Sequence, residues 1–124
     1  KTQHLLIKGK INGVKGNFIL DTGASNSCVG FESVEHFKLD AQFSETKAAG
    51  AGATGIETQI AKNNNIKIGS WQNQEMHIVI FDMSHVNEAL QNYKVKPVDG
   101  ILGADILIKG KAIIDYCNCC LYLR

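Results

Sequence analysis

Short apolar segments separated by turns are the feature of this chain that most constrains its fold. The segments are rich in isoleucine, valine and leucine and are too short for ordinary helices, which favours β-strands. Asn12-Gly13 is a strong hairpin signal, because both residues tolerate the positive φ angles of a tight turn, and Gly69-Ser70 marks a second turn. The predicted strands are residues 4–8, 16–20, 28–31, 43–47, 56–61, 66–68, 76–81, 101–103, 112–116 and 120–123. The chain is therefore predicted to be all-β and mainly antiparallel.

One or two short helices are predicted among these strands. Residues 84–93 carry apolar side chains at helical spacing after a serine that can cap the first turn. Residues 104–109 form a second predicted helix, which ends at Gly110 and has Asp105 as a candidate cap. Ser33 is the predicted cap of a further helical turn.

Composition limits the classes of protein to which this chain can belong. Its 124 residues are 44% hydrophobic and 20% charged, which predicts a single domain over residues 1–124. The formal net charge is +1 and the lysines are scattered, so no nucleic-acid partner is indicated. No apolar run approaches the roughly 20 residues that cross a bilayer, so no membrane insertion by this domain is expected. Lys1 in place of Met is compatible with an exported or periplasmic protein whose signal was removed.

The cysteines and histidines do not indicate metal or nucleophilic chemistry. Cys28 stands alone, whereas Cys117, Cys119 and Cys120 are bunched near the end of the chain, unlike the two spaced pairs of a zinc site. Small packed thiols are the main interpretation, and a redox-responsive structural domain is the alternative. No histidine lies near Cys28 in the sequence as a general base. We therefore predict neither a metal nor a cofactor.

Asp21 is the residue around which catalytic chemistry is expected. In Asp21-Thr22-Gly23 a carboxylate is followed by a hydroxyl that can fix nearby backbone and by a glycine that lets another chain approach. By itself such a tripeptide is common in surface turns. Here it directly follows the apolar residues 18–20, so the carboxylate emerges from a buried strand. Far downstream, residues 101–103 lead into the second predicted helix.

These two features, in this order, resemble the retropepsin-like aspartic proteases. In that family an apolar strand leads into Asp-Thr-Gly-Ala, and a later apolar pair with a glycine precedes a helix. The resemblance runs from the Asn12-Gly13 hairpin to residues 113–116, and residues 102–105 and 114–116 are most similar to single-domain bacterial members. It implies the closed barrel of the acid-protease fold.

The resemblance also implies a homodimer that cleaves a peptide or protein substrate. Two-lobed relatives carry two Asp-Thr/Ser-Gly motifs on one chain, whereas this chain has one, so the second carboxylate must be Asp21 of another copy. Two adjacent carboxyls share a proton and activate a water at acidic to near-neutral pH without a metal. By the same resemblance, Thr22 bonds across the dimer axis, Gly23 makes backbone hydrogen bonds near the carboxylates, and Ala24 borders the substrate.

Residues 48–55 are almost entirely glycine and alanine. The resemblance assigns them to a flap that closes over an extended peptide. They lie between residues 43–47 and 56–61, which alternate like the strands of a hairpin. A surface hairpin without such a role is the alternative. The candidate substrate-binding residues of this stretch are Gly50, Ala51, Gly52, Ala53 and Gly55.

The chain departs from the retroviral pattern at two positions. Retroviral members often pair an acid after Asp-Thr-Gly-Ala with an arginine after the downstream glycine, whereas these positions hold Ser25 and Ala104. Both partners are missing together, so no unpaired charge is left and a different subfamily is favoured. Residues 121–123 can end within their own hairpin rather than in an interface of interleaved chain ends. A catalytically silent peptide-binding or dimerisation module on the same fold is the alternative function.

Overall fold

A computed structural model describes residues 5–44, 58–92 and 97–124 of the chain. Its strands and helices are β1 (Leu6–Ile11), β2 (Val14–Leu20), β3 (Cys28–Gly30), β4 (Gln42–Ser44), β5 (Thr58–Ile68), β6 (Trp71–Phe81), α1 (Ser84–Asn92), β7 (Gly100–Leu102), α2 (Ala104–Lys109), β8 (Ile113–Asp115) and β9 (Cys120–Tyr122). Seven strands form one sheet in the order β1-β2-β7-β3-β6-β5-β4, and β1 also pairs with β5. This last pairing closes six strands into a barrel, so the predicted fold class is confirmed.

The predicted Asn12-Gly13 turn joins β1 to β2. Both residues have positive φ angles, 51° and 83°, and the flanking Ile11 and Val14 are paired. The Asn12 side-chain Nδ2 also donates to the Phe37 carbonyl at 2.9 Å. The turn is therefore fixed both by its own backbone preference and by a contact outside the hairpin.

Strand β5 differs from its prediction. Residues 56–61 and 66–68 were predicted as separate strands, but one strand runs through both, with register shifts between Ala61 and Ile66. The buried Asn64 side chain donates to the Ala61 carbonyl at 2.9 Å, and Asn63 has a positive φ of 58°. The polar residues between the two predicted strands therefore belong to a bulge within one continuous strand, where the Asn64 side chain forms a hydrogen bond with the backbone.

The strands on either side of the predicted flap are paired. β4 and β5 are antiparallel, and Ser44 lies opposite Thr58 at the last described pair. The five candidate residues of the flap lie outside the described residues; they are Gly50, Ala51, Gly52, Ala53 and Gly55.

Apolar side chains form two buried clusters. The main cluster lies inside the barrel and includes Phe18, Ile80 and Ile106, each at most 2% exposed. A second cluster joins Ile19, Ile101 and the buried Leu90 of α1. Alternate residues of β2 therefore pack into different clusters, which fixes the strand that leads to Asp21 on both faces.

Both predicted helices are present, but Asp105 does not cap α2. This helix is preceded by Gly103 without a side-chain cap, and Asp105 lies inside its first turn. A 3₁₀ turn without a side-chain cap occupies Phe31–Ser33, and a further helical turn begins at Ser33, whose carbonyl accepts a hydrogen bond from the Phe37 amide at 3.0 Å. None of the described helices could cross a membrane.

The end of the chain forms its own hairpin, as the sequence allowed. β8 and β9 are antiparallel, with Ile114 opposite Leu121. These two side chains pack against the main core cluster. The final residue is held as well, because the Arg124 amide donates to the Gly110 carbonyl at 2.7 Å.

Candidate active site

The position of β7 determines where the Asp21 loop can lie. β7 pairs in parallel with β2, with Leu20 opposite Leu102, and antiparallel with β3, with Ile101 opposite Cys28. The loop of residues 21–27, which joins β2 to β3, must therefore pass over the carboxyl end of β7. The Asp21 amide continues the ladder by donating to the Leu102 carbonyl at 3.0 Å.

Asp21 is held by its own loop. Its Oδ1 accepts a hydrogen bond from the Gly23 amide at 2.9 Å, and its carbonyl accepts one from the Ala24 amide at 3.2 Å. The residue is half-buried. Within the described part of the chain, no hydrogen bond is made to Oδ2. One carboxylate oxygen is thus fixed while the other is left for a second group to approach.

The neighbours of Asp21 divide between surface and core. Thr22 and Gly23 are exposed. Ala24 is only 3% exposed and packs in the cluster that contains Ile101. Its carbonyl accepts a hydrogen bond from the Ala104 amide at 2.7 Å, which ties the loop to the start of α2. The structure therefore brings the four predicted residues into one loop, with the first three reaching its surface.

A buried serine and a carboxylate fix the far side of the same loop. The Ser27 hydroxyl donates to Asp105 Oδ1 at 2.7 Å, and the Ser27 amide donates to Asp105 Oδ2 at 3.0 Å. The hydroxyl also accepts from the Gly103 amide at 2.9 Å. The Ile106 amide donates to Asp105 Oδ1 at 2.8 Å. Asp105 thus joins the Asp21 loop to α2 through charge-assisted bonds.

This contact takes the place of the ion pair that the chain lacks. Ser25 is exposed, and Ala104 contributes its backbone amide instead of a side chain. The link between loop and helix is made instead by Ser27 and Asp105. The sequence did not reveal this pair, although a serine in a loop and a carboxylate in the first turn of a helix are each suited to such a bond.

Gly103 is the point of closest approach between the loop and α2. A Cβ atom at this position would lie 2.6 Å from the Ala24 carbonyl oxygen and 2.9 Å from the Asn26 carbonyl oxygen. Both neighbours are backbone atoms, so they cannot rotate away. A glycine is therefore required by packing at the place where the sequence showed an apolar pair followed by glycine.

Cys28 lies directly behind the Asp21 loop but does not act as a nucleophile. Burial raises the pKa of its thiol to about 12, with smaller contributions from the negative charges of Asp105 and Asp21. At neutral pH the thiol is protonated, and its sulfur donates to the Asn26 carbonyl at 3.2 Å. Within the ranges that the structure describes, no group of three or more His, Cys, Asp or Glu side chains is placed to hold a metal.

Replacing Asp105 with Asn is expected to lower the free energy of unfolding by about 2 kcal/mol, the range of hydrogen bonds to a charged group. The amide that replaces Oδ2 would face the Ser27 amide, so a donor would meet a donor. Urea unfolding measures the change. The control is Asp115→Asn, because the Asp115 carboxylate also accepts a backbone bond, from Asn118 at 3.1 Å, but this bond is exposed to solvent, whereas those from Ser27 to Asp105 are partly buried. Equal stability of the two variants would contradict the role given to Asp105.

Comparison with known proteins adds two findings. Residues 7–106 match the family described as aspartyl protease. Among solved structures, the chain is similar to the EIAV protease complexed with the inhibitor HBY-793, at 24% sequence identity and a TM-score of 0.62, covering 85% of this chain and 86% of that one. It is also similar to the retroviral protease-like domain of Ddi1 from Leishmania major, at 18% identity and a TM-score of 0.61, covering 99% of this chain and 90% of that one. Among curated proteins no match was found.

The matched region contains the features described above. It begins in β1, includes the Asp21 loop and Gly103, and ends in α2. The structural likeness covers the barrel and agrees with the predicted fold. The chain belongs to the aspartyl protease family and has the retropepsin-like fold.

Proposed function

We propose that this chain, over residues 1–124, is one subunit of a homodimeric aspartic endopeptidase. The proposal rests on the burial and hydrogen bonding of the Asp21 loop. Asp21 is half-buried at the end of β2, with one oxygen fixed by the Gly23 amide, while Thr22 and Gly23 are exposed beside it. This arrangement supports a carboxylate that is oriented by its own chain and meets an identical loop across a twofold axis.

The chemistry follows from bringing two such carboxylates together. Two carboxylates a few ångströms apart cannot both be ionised, so the pair shares one proton. The ionised oxygen takes a proton from a water molecule, which attacks the peptide carbonyl, while the protonated carboxyl donates to the carbonyl oxygen. In this proposal Thr22 bonds across the axis and Gly23 makes backbone hydrogen bonds near the two carboxylates. Ala24, which the resemblance assigns to the substrate, is only 3% exposed and packs in the core of this chain, so direct contact of its side chain with the substrate is not part of the proposal.

The substrate in this proposal is an extended peptide. β4 and β5 form an antiparallel pair that leads from Ser44 and Thr58 into residues 45–57. An extended peptide beneath such a hairpin gains backbone hydrogen bonds along its whole length, as in strand addition. The candidate flap residues named from the sequence belong to this segment and remain part of the proposal.

The test is cleavage of an unfolded protein by the purified chain at a concentration where sedimentation shows a dimer. The expected result is cleavage of peptide bonds between apolar residues, seen by mass spectrometry as fragments with new termini. The rate should be greatest at acidic to near-neutral pH and should persist in the presence of a chelator. A dimer that binds peptides without producing new ends would contradict the proposal and support the catalytically silent module.

A further inference from the structure

Lysines that are scattered along the sequence meet on one face of the barrel. Lys10 of β1 is the cross-strand partner of Lys15 in β2 and also of Lys67 in β5. Directly opposed residues of neighbouring strands share a face and have Cβ atoms about 5 Å apart. Lys8 lies two residues before Lys10 and shares its face. The expectation of scattered positive charge, drawn from the sequence, is therefore wrong for the folded chain.

The row of like charges is unfavourable by itself. Like charges placed directly opposite on adjacent strands destabilise a sheet, and Lys10 has such a neighbour on both sides. All four lysines are exposed, so their charges are solvated rather than neutralised. An anion bound among them would convert this repulsion into attraction.

The lysines surround a groove of about 750 Å³. This volume lies within the range of about 300–1,000 Å³ that is typical of small-molecule sites. Asp99 is the one carboxylate that the described part of the chain contributes to the lining, and its Oδ2 already accepts a hydrogen bond from the Asn17 amide at 2.9 Å. The groove therefore has a strong excess of positive charge and one acidic group that is already engaged.

The rest of the lining indicates which anion would fit. Among the described residues it consists, besides the lysines, of glycines, Asn17, His36 and Asp99, none of which is a large apolar side chain. The one aromatic ring among these residues, His36, already packs edge-on against Phe37, and its Nε2 lies 3.1 Å from the Lys15 carbonyl oxygen, so it is not a free platform for a nucleic-acid base. A peptide would find no pocket for apolar anchors among them. Lysine binds phosphate well as a point charge. The lining thus favours a compact ligand that is almost entirely charged.

We propose that this groove binds a compact anion with two or more phosphate groups, through Lys8, Lys10, Lys15 and Lys67. The site is separate from Asp21, since Lys15 and Asp21 lie at opposite ends of β2, about 20 Å apart along the strand. The proposal does not depend on proteolytic activity. The phosphate groups could belong to a soluble anion or to a lipid headgroup, and the experiment separates these two sources.

The test uses inorganic tripolyphosphate and the thermal unfolding of the whole chain. Tripolyphosphate is expected to raise the Tm of the parent protein and to shift the backbone amide NMR signals of the four lysines. The variant Lys10→Gln is expected to have a higher Tm than the parent without the anion, because a repulsive charge is removed. Its dissociation constant for tripolyphosphate should be about tenfold higher or more.

The matched control is Lys62→Gln, which removes an exposed lysine from β5 that does not line the groove. It should bind tripolyphosphate like the parent. Equal weakening in both variants, or signal shifts spread over the whole surface, would overturn the proposal, as would tighter binding of polyglutamate or single-stranded DNA. Vesicles of phosphatidylcholine with a polyphosphoinositide form the second arm: binding to them that exceeds binding of tripolyphosphate assigns the site to a lipid headgroup, and the reverse assigns it to a soluble anion.

Discussion

The Asp21→Asn protein is expected to fold like the parent and to cleave peptides at least about 10³-fold more slowly, within the range that general acid–base groups contribute. The asparagine carbonyl oxygen can still accept the Gly23 amide, so the loop keeps its hydrogen bond. What is lost is the ionisable oxygen that shares a proton with its counterpart. The measurement is kcat on a peptide that the parent cleaves, with Tm as the check on folding.

Asp82→Asn is the matched control for this experiment. Asp82 Oδ1 accepts the Ser84 amide at 2.9 Å, the same bond over two residues that Asp21 makes with Gly23. It lies outside the Asp21 loop, so its replacement should leave kcat unchanged. Cleavage by Asp21→Asn at the rate of the parent would show that this carboxylate is not catalytic.

Replacing Gly103 with Ala is expected to destabilise the fold by about 3 kcal/mol, near the upper end of the usual cost of overpacking. The added methyl group would lie 2.6 Å from the Ala24 carbonyl oxygen, and residue 103 is itself held in place, because its amide donates to the Ser27 hydroxyl. Gly103 has a φ of −104° and a ψ of −171°, which any residue can adopt, so the cost comes from the contact and not from the conformation. Urea unfolding measures it.

Gly30→Ala provides the comparison. Its added methyl group would lie 3.1 Å from Met83 Cγ, a looser contact than the one at Gly103 and with a side chain instead of a backbone atom. The expected cost is about 1 kcal/mol, near the lower end of the usual cost of overpacking. If Gly103→Ala were as stable as Gly30→Ala, the close packing of the Asp21 loop against α2 would be contradicted.

Features determined by neighbouring residues could be predicted from the sequence. The Asn12-Gly13 turn, the two helices and the closing hairpin all depend on local preference and on spacing along one segment. The place of Asp21 at the end of an apolar strand was also readable, because residues 18–20 are buried on alternating faces.

Features that depend on distant pairing could not be predicted. Ser27 and Asp105 are separated by 78 positions, and their bond exists only because β7 inserts between β2 and β3. Asparagine is a residue type typical of loops, but Asn64 lies in a bulge of β5, where its side chain donates to the Ala61 carbonyl. The lysine row requires the registers of three strands, which the separate segments do not specify.

The central claim is that each chain supplies half of a catalytic site. Its most direct test is peptide-cleaving activity per chain, measured over a range of protein concentrations that sedimentation shows to span the change from monomer to dimer. Activity per chain is expected to rise with concentration in step with the dimer fraction and to be absent from the monomer. Constant activity per chain in a protein that sediments as a monomer would contradict it.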